Sequence, residues 1–193
     1  MFTGIITNLG RLTKREGTYV VFTTDKSFLQ RLSTGTSVAV NGVCLTVLEK
    51  PKANFFVVEV MPETEKKTNI GYLKENDIVN LELPATPATF LSGHVVQGHV
   101  DGISEILSIT QEGNSRVFTF SLANKLHKYL VEKGSITING ISLTVISVTS
   151  DSFTVGIIPH TWEATMLHTA KVHDKVNVEV DVLAKYIEKL LNK

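Results

Sequence analysis

Seven residues, Asn41-Gly42-Val43-Cys44-Leu45-Thr46-Val47, return ninety-eight positions later as Asn139-Gly140-Ile141-Ser142-Leu143-Thr144-Val145, with five of the seven unchanged. In each copy an aliphatic run (Val38 to Val40; Ile136 to Ile138) leads into Asn-Gly, a pair that tolerates the positive φ angles of a two-residue turn, and a second strand-like run follows. Each copy therefore predicts a β-hairpin, and the chain predicts a duplication. Side chains alternate along a strand, so Val43, Leu45 and Val47 share one face while Cys44 and Thr46 share the other; Ser142 and Thr144 have the same parity. Each half thus offers an aliphatic face to a core and a small polar face, a thiol or hydroxyl beside a threonine, suited to hydrogen-bonding a ligand.

The repeat extends well beyond the hairpin. Phe2-Thr3-Gly4-Ile5-Ile6 aligns with Val96-Gln97-Gly98-His99-Val100, Met61-Pro62-Glu63-Thr64 with Ile158-Pro159-His160-Thr161, and Val79-Asn80-Leu81-Glu82 with Val176-Asn177-Val178-Glu179. In 193 residues this gives two units of about ninety, each large enough for its own small core. Short strands with turn signals and almost no long helix predict an all-β fold of two tandem antiparallel barrels. The opening Met1 to Ile6 is expected to begin the first strand, Ser27 to Leu32 to form a serine-capped turn of helix, Met166 to Val180 to close the second half, and Pro84 to Ser92 to link the two. Gly4 and Gly98, early in each half, suggest a bulge or a close approach to the backbone. Only Val182 to Leu191 has helical periodicity, with Leu183, Tyr186, Ile187 and Leu190 on one stripe; the pattern leaves open whether it packs on its own barrel or on neighbouring subunits.

Acidic and basic residues balance at nineteen each and no basic block occurs, which argues against nucleic-acid or anionic-membrane partners. Cys44 is alone and so forms no intramolecular disulfide, and no apolar run approaches a membrane span, which predicts a cytoplasmic protein. The six histidines include no metal-binding spacing: His94 and His99 have opposite strand parity, and neither Cys-x-x-Cys nor His-Glu-x-x-His occurs, so no metal site is expected. The halves differ where ligand contact is expected. Phe2, Ile5, Gly35, Cys44 and Glu63 in the first correspond to Val96, His99, Lys133, Ser142 and His160 in the second, as if two copies of one ligand were held inequivalently.

These motifs, together with Ser92-Gly93-His94-Val95-Val96-Gln97-Gly98-His99-Val100-Asp101-Gly102, resemble riboflavin synthases of the type built from two lumazine-binding repeats, over residues 1 to about 190. The resemblance implies two six-stranded Greek-key barrels (residues 1–93 and 94–182) and a C-terminal helix (183–193) that packs at the axis of a homotrimer. It implies a transferase that dismutates two 6,7-dimethyl-8-ribityllumazine molecules into riboflavin and 5-amino-6-(ribitylamino)uracil, with no external cofactor, and it allows association with lumazine synthase. By position it implies catalytic roles for Phe2, Cys44, His99 and Ser142. A first pocket would comprise Gly4, Ile5, Ile6, Ser37, Cys44, Leu45, Thr46, Glu59, Val60, Met61, Pro62, Glu63 and Thr64. A second would comprise Gly98, His99, Val100, Ser142, Leu143, Thr144, Ile158, Pro159, His160, Thr161, Trp162 and Glu163, with Lys133 reaching a neighbouring subunit. The alternative is a non-catalytic lumazine- or flavin-binding protein of the optical antenna type, whose members lack the second-half histidine motif that is intact here. Trp162, where the family often has leucine, Glu65-Lys66-Lys67 and the linker depart from the family pattern, and Trp162 is expected to alter how the second ligand is covered.

Overall fold

The computed structural model describes residues 1–191. Twelve strands form two barrels of one topology. In the first, β1 (Asn8–Glu16), β2 (Tyr19–Thr23), β3 (Ser37–Val40), β4 (Val43–Thr46), β5 (Phe55–Glu59) and β6 (Ile78–Glu82) lie in the order β4-β3-β6-β1-β2-β5. In the second, β7 (Gly102–Glu112), β8 (Ser115–Ser121), β9 (Ser135–Ile138), β10 (Ile141–Val148), β11 (Ser152–Ile157) and β12 (Lys175–Val180) close as β10-β11-β8-β7-β12-β9. The connections from β2 to β3 and from β5 to β6 cross a barrel end, which is the Greek-key arrangement. A bridge between Val47 and Val58 brings β4 and β5 together and closes the first barrel.

Each repeated Asn-Gly makes the expected turn, with φ of 45° and 74° at Asn41 and Gly42 and 46° and 81° at Asn139 and Gly140. The predicted parity holds: Val43, Leu45 and Val47 are buried, whereas Cys44 is half-buried and Thr46 exposed. Aromatic rings fill the two interiors, Phe22 stacked on Phe56 at 5.7 Å between centroids and Phe120 on Phe153 at 5.3 Å.

Where the barrels meet, the two turns cross so closely that a Cβ on Gly42 would stand 2.6 Å from the Gly140 nitrogen. Five buried asparagines surround the crossing, Asn41, Asn69 and Asn80 from the first half and Asn139 and Asn177 from the second. Asn80 donates to the Asn139 carbonyl and Asn177 to the Asn41 carbonyl, at 2.9 and 2.8 Å. Asn80 also accepts from the Met166 backbone and Asn177 from the Asn69 backbone. Amides serve here because each supplies both a donor and acceptor, which the backbone ends of a buried turn require.

Several local expectations are corrected. Met1 to Ile6 is not a barrel strand: Phe2 makes a single bridge with Val96, its N–H donating to the Val96 carbonyl at 2.7 Å, and the first strand starts at Asn8. The short helix α1 (Lys26–Leu29) is capped by Asp25, whose carboxylate accepts from the Phe28 N–H, and not by a serine. Pro62 breaks β5 and also opens helix α2 (Pro62–Lys67), as Pro159 opens α4 (Pro159–Ala164), because proline fits the first helical position. Met166 to Thr169 is a 3-10 turn, so only Lys175–Val180 closes the second barrel. A further short helix, α3 (Asn124–His127), corresponds to α1.

The terminal helix α5 (Val182–Leu191) is tied to the second barrel through Glu188, which accepts from Lys128 and Tyr129, and through Lys185, 2.6 Å from Asp101. Its apolar stripe does not pack on its own chain: Leu183, Tyr186, Ile187 and Leu190 are each 57–64% exposed. Residues 192 and 193 of the expected C-terminal segment lie outside the described residues.

Candidate functional site

The hairpin strand β4 is paired along one side by β3, with Ser37 opposite Thr46 and Ala39 opposite Cys44. Its other side meets β5 only beyond Thr46, at Val47 and Leu48. The barrel wall is therefore parted along Val43 to Thr46, and the same parting occurs at Ile141 to Thr144, since β10 joins β11 only from Val145. Alternation in an antiparallel ladder turns the backbone groups of Cys44 and Thr46 toward this parting.

A segment from the opposite half crosses each parting. The Cys44 N–H donates to the Gly98 carbonyl at 3.0 Å, and the Ser142 N–H donates to the Gly4 carbonyl at 2.7 Å. Gly4 and Gly98 have φ of 76° and 79°, and a Cβ on either would stand 2.6–2.7 Å from the Cβ of Ser142 or Cys44. Both demands select glycine. The close approach foreseen for these glycines is thus present, but the expected grouping is reversed. Gly98, His99 and Val100 lie with Cys44, and Val100 packs on the first core; Gly4, Ile5 and Ile6 lie with Ser142, and Ile6 packs on the second. Parity within one copy carries no information about which barrel a crossing segment lands on, so the sequence alone pairs each glycine with its own half.

Two shelves result. The Cys44 shelf has Cys44 and Thr46 on β4 and the crossing residues Gly98 to Val100; Glu59, Met61, Pro62 and Glu63, expected at the same pocket, are exposed on β5 and at the start of α2. The Ser142 shelf has Ser142 and Thr144 on β10 and the crossing residues Gly4 to Ile6; Ile158, Pro159 and His160, expected at the same pocket, are exposed, and Thr161 and Glu163 lie in α4. Leu45, Val60 and Leu143 point into the cores, which leaves their backbones alone for contact. Phe2 is 1% exposed and packs with Ala39, Val96 and Cys44, so it supports the crossing segments from within and presents no surface. Thr64 is half-buried, and its carbonyl accepts from the Thr68 hydroxyl. Lys133 is exposed, at a positive φ matching that of Gly35. Trp162 is engaged elsewhere: its ring lies 6.1 Å from Phe118 with the Arg116 guanidinium 3.9 Å above it, which clamps α4 to the barrel wall instead of covering the shelf.

Three residues absent from the sequence-derived site belong to this arrangement. His94 is buried behind Ser142, its Nδ1 2.7 Å from the Ser142 hydroxyl and its Nε2 3.0 Å from the Thr137 hydroxyl. Burial holds its ionisation below the ordinary histidine value, opposed by the nearby Asp181 carboxylate. A neutral ring between two hydroxyls donates to one and accepts from the other, so in either tautomer it holds the Ser142 oxygen in place. The other two are the carboxylates of Glu82 and Glu179, both 3% exposed. Glu82 accepts from the Thr3 N–H, the Thr3 hydroxyl and the Gly4 N–H at 2.6, 2.7 and 3.1 Å. Glu179 accepts from the N–H groups of Gln97, Gly98 and His99 at 2.7, 2.9 and 3.0 Å. Burial pushes both carboxyls above the ordinary glutamate value, and the donated hydrogen bonds oppose it. The signal for them was the recurrence of Val-Asn-Leu-Glu as Val-Asn-Val-Glu, an acid at one place in two strands whose aliphatic residues are buried.

Both shelves are open in the single chain. A cavity of about 750 Å³ lies on the outer wall of the first barrel among Tyr19, Leu48, Phe55 and Val57, with neither Cys44 nor Ser142 in its lining. Among the described residues no cluster of three metal-ligating side chains occurs, and no helix is long and apolar enough to cross a membrane.

The Lumazine binding domain family matches this chain twice, at residues 3–84 and 97–181. The riboflavin synthase of Actinobacillus pleuropneumoniae is 45% identical, covering 100% of this chain and 91% of the relative. That of Bacillus subtilis (strain 168) is 41% identical with the same coverage. This chain belongs to the riboflavin synthase family. Its mycobacterial members are similar too: the Mycobacterium tuberculosis H37Rv riboflavin synthase is 42% identical over 99% of this chain and 98% of its own. Among solved structures, LumP complexed with riboflavin superposes with a TM-score of 0.86 at 23% identity, covering 93% of this chain and 99% of that one, and so shares the family's two-barrel fold. LumP complexed with 6,7-dimethyl-8-(1'-D-ribityl) lumazine gives a TM-score of 0.83 at the same identity and coverage.

Proposed function

We propose that this chain is a riboflavin synthase, a transferase that moves a four-carbon unit between two molecules of 6,7-dimethyl-8-ribityllumazine, yielding riboflavin and 5-amino-6-(ribitylamino)uracil. The observation that carries the reading is a chain-long identity of 38–45% to riboflavin synthases, against 23% to LumP. The shelves suit the reaction because they are inequivalent. One offers the Cys44 thiol with the exposed imidazole of His99; the other offers Ser142, whose hydroxyl is hydrogen-bonded to His94. One lumazine on each would be held in a distinct chemical setting, as donor and acceptor must be, and most of the acceleration would come from holding two rings in register.

In this reading the Cys44 shelf of one subunit faces the Ser142 shelf of another, which would cover two otherwise open surfaces. The exposed stripe of α5 supports a homotrimer joined along that helix, and the exposed Lys133 would reach a neighbouring subunit. The working division is residues 1–93, 94–182 and 183–193, with the chain acting in the cytoplasm without an external cofactor. Association with lumazine synthase belongs to the same reading. The test is incubation of the purified protein with 6,7-dimethyl-8-ribityllumazine alone. Riboflavin fluorescence should appear, with two lumazines consumed for each riboflavin; a folded protein that binds lumazine and forms none would overturn the assignment and favour a binding protein of the antenna type.

A further inference from the structure

Glu82 and Glu179 have no place in the chemistry above, yet each is a buried carboxylate that takes three hydrogen bonds from one short stretch of chain, Glu82 from two backbone N–H groups and the Thr3 hydroxyl and Glu179 from three backbone N–H groups. Glu82 ends β6 of the first barrel, and the stretch it holds, Thr3 and Gly4, lies on Ser142 of the second. Glu179 is in β12 of the second barrel, and the stretch it holds, Gln97 to His99, lies on Cys44 of the first. We infer that Glu82 and Glu179 are positioning residues, and that each fixes the ligand-bearing shelf of the barrel to which it does not belong. Between Thr3 and Ile5 and between Gln97 and His99 the glutamates supply most of the hydrogen bonds. Among the described contacts, the other anchors are the Phe2–Val96 bridge, one backbone bond to each shelf, a 3.2 Å bond from the His94 N–H to the Thr3 carbonyl, Thr3 accepting from the Ile5 N–H, the packing of Ile6 and Val100 on the cores, and backbone bonds at the segment ends from Ala85 to Met1, Thr7 to Leu81 and Asp101 to Val178.

A carboxylate suits this role for a geometric reason. A glycine at positive φ turns successive N–H groups toward one side, and two oxygens with four lone-pair directions accept three such donors at once. A glutamine of the same shape has one such oxygen and places an NH₂ against the remaining donors. The arrangement also fixes the backbone of His99, since its N–H is one of the three held by Glu179. The positioning of the imidazole on the Cys44 shelf thus depends on a residue of the other barrel.

The kinetic part of this inference rests on the proposed synthase activity; the structural part does not. Amide hydrogen exchange should be followed in the full chain for wild type, Glu82→Gln and Glu179→Gln, with and without riboflavin as the probe. In Glu82→Gln, exchange at Thr3, Gly4 and Ser142 should rise about tenfold or more, the scale expected for hydrogen bonds lost from a charged acceptor. Gln97 to His99 and Cys44 should keep their wild-type rates, and riboflavin should lose its protection of the Ser142 shelf alone. Glu179→Gln should give the mirror image. In the lumazine assay KM should rise in both, and kcat should fall further in Glu179→Gln, which also releases His99. Thr3→Val removes one donor to Glu82 and keeps the acid, so it should reproduce the Glu82→Gln pattern at smaller amplitude and serves if the glutamine variant does not fold. Exchange that rises first in the mutated residue's own barrel, or equally in both crossing segments, would overturn the inference. So would loosened segments with unchanged riboflavin protection. A wild-type protein that makes no riboflavin would defeat the proposed function and leave the exchange pattern to decide this claim on its own.

Discussion

The Cys44 and Ser142 shelves share a backbone and differ in the side from which a histidine reaches them. On the Cys44 shelf the histidine is His99, carried in on the crossing segment and exposed to solvent; the matching residue on the Ser142 shelf is Ile5. There the histidine is His94, buried behind the hydroxyl it holds. One shelf carries its crossing-segment imidazole in solvent, and the other keeps a second imidazole behind its hydroxyl, with His160 exposed in α4. Duplication thus supplied two equal surfaces, and substitution on opposite sides of them made the surfaces unequal without altering the fold.

The helices beside the shelves show the same economy. In the first half α2 is pinned by Arg15, whose guanidinium bonds Glu65 and the Ile70 carbonyl. In the second, α4 is pinned by Trp162 between Phe118 and Arg116. An ion pair and an aromatic clamp occupy equivalent places, so one geometry is held by unrelated chemistry.

The strongest way to break the comparison is to remove what the shelves share. Gly98→Ala places a Cβ 2.7 Å from that of Cys44 at a φ of 79°, and strain plus overpacking should cost roughly 2 to 6 kcal/mol in chemical denaturation. Gly4→Ala should behave alike, and a loss confined to one of the two would mean that the crossings are not equivalent. Next comes the difference itself. His99→Gln should lower kcat by about a hundredfold or more if the exposed imidazole transfers protons, and an unchanged kcat would assign the transfer elsewhere. The helix clamps come third: Trp162→Leu should lower stability by about 1 to 2 kcal/mol, whereas Glu65→Gln, at a half-exposed ion pair, should cost less than about 1 kcal/mol. Equal losses would show that the two clamps are equally strong.

The smallest effect is a pH dependence. His94 in the folded chain ionises below the ordinary histidine value because it is buried, so the unfolded chain takes up the proton first. Its contribution is complete above about pH 6.5 and is lost as the pH falls toward the folded value. Glu82 and Glu179, raised by burial, act in the opposite sense, since the folded chain binds their protons first as the pH falls. Comparing the unfolding midpoints of wild type and His94→Asn from pH 7.5 to 5.5 isolates the histidine: the wild type should lose more stability over that range. A difference that does not change with pH would contradict the buried, neutral ring.

Much of this could be read in the chain. The Asn-Gly repeat fixed two hairpins, and their parity placed Cys44 and Ser142 on outward faces; the stripe of α5 marked an apolar face, and the structure then showed that its own barrel leaves it uncovered. What escaped was long-range. Nothing local tells Gly4 to lie on Ser142, 138 residues away, or places His94 beside the same serine, because these contacts arise only when the two barrels are brought face to face. The buried glutamates escaped because an acid within a strand reads as a solvent-facing residue until its donors are seen. Trp162 was misplaced because its neighbours in sequence match the expected pocket while the helical turn directs its ring to the barrel wall.

The central claim is that a working site takes its Cys44 shelf from one copy and its Ser142 shelf from another. Chains carrying Cys44→Ala and chains carrying Ser142→Ala should each be nearly inactive on lumazine. Unfolded together, refolded together and assayed for riboflavin, the mixture should regain a substantial fraction of wild-type activity, because some interfaces then pair an intact Cys44 with an intact Ser142. A mixture that exchanges subunits and remains as inactive as its parents would place the two shelves of each site on one chain and contradict the account.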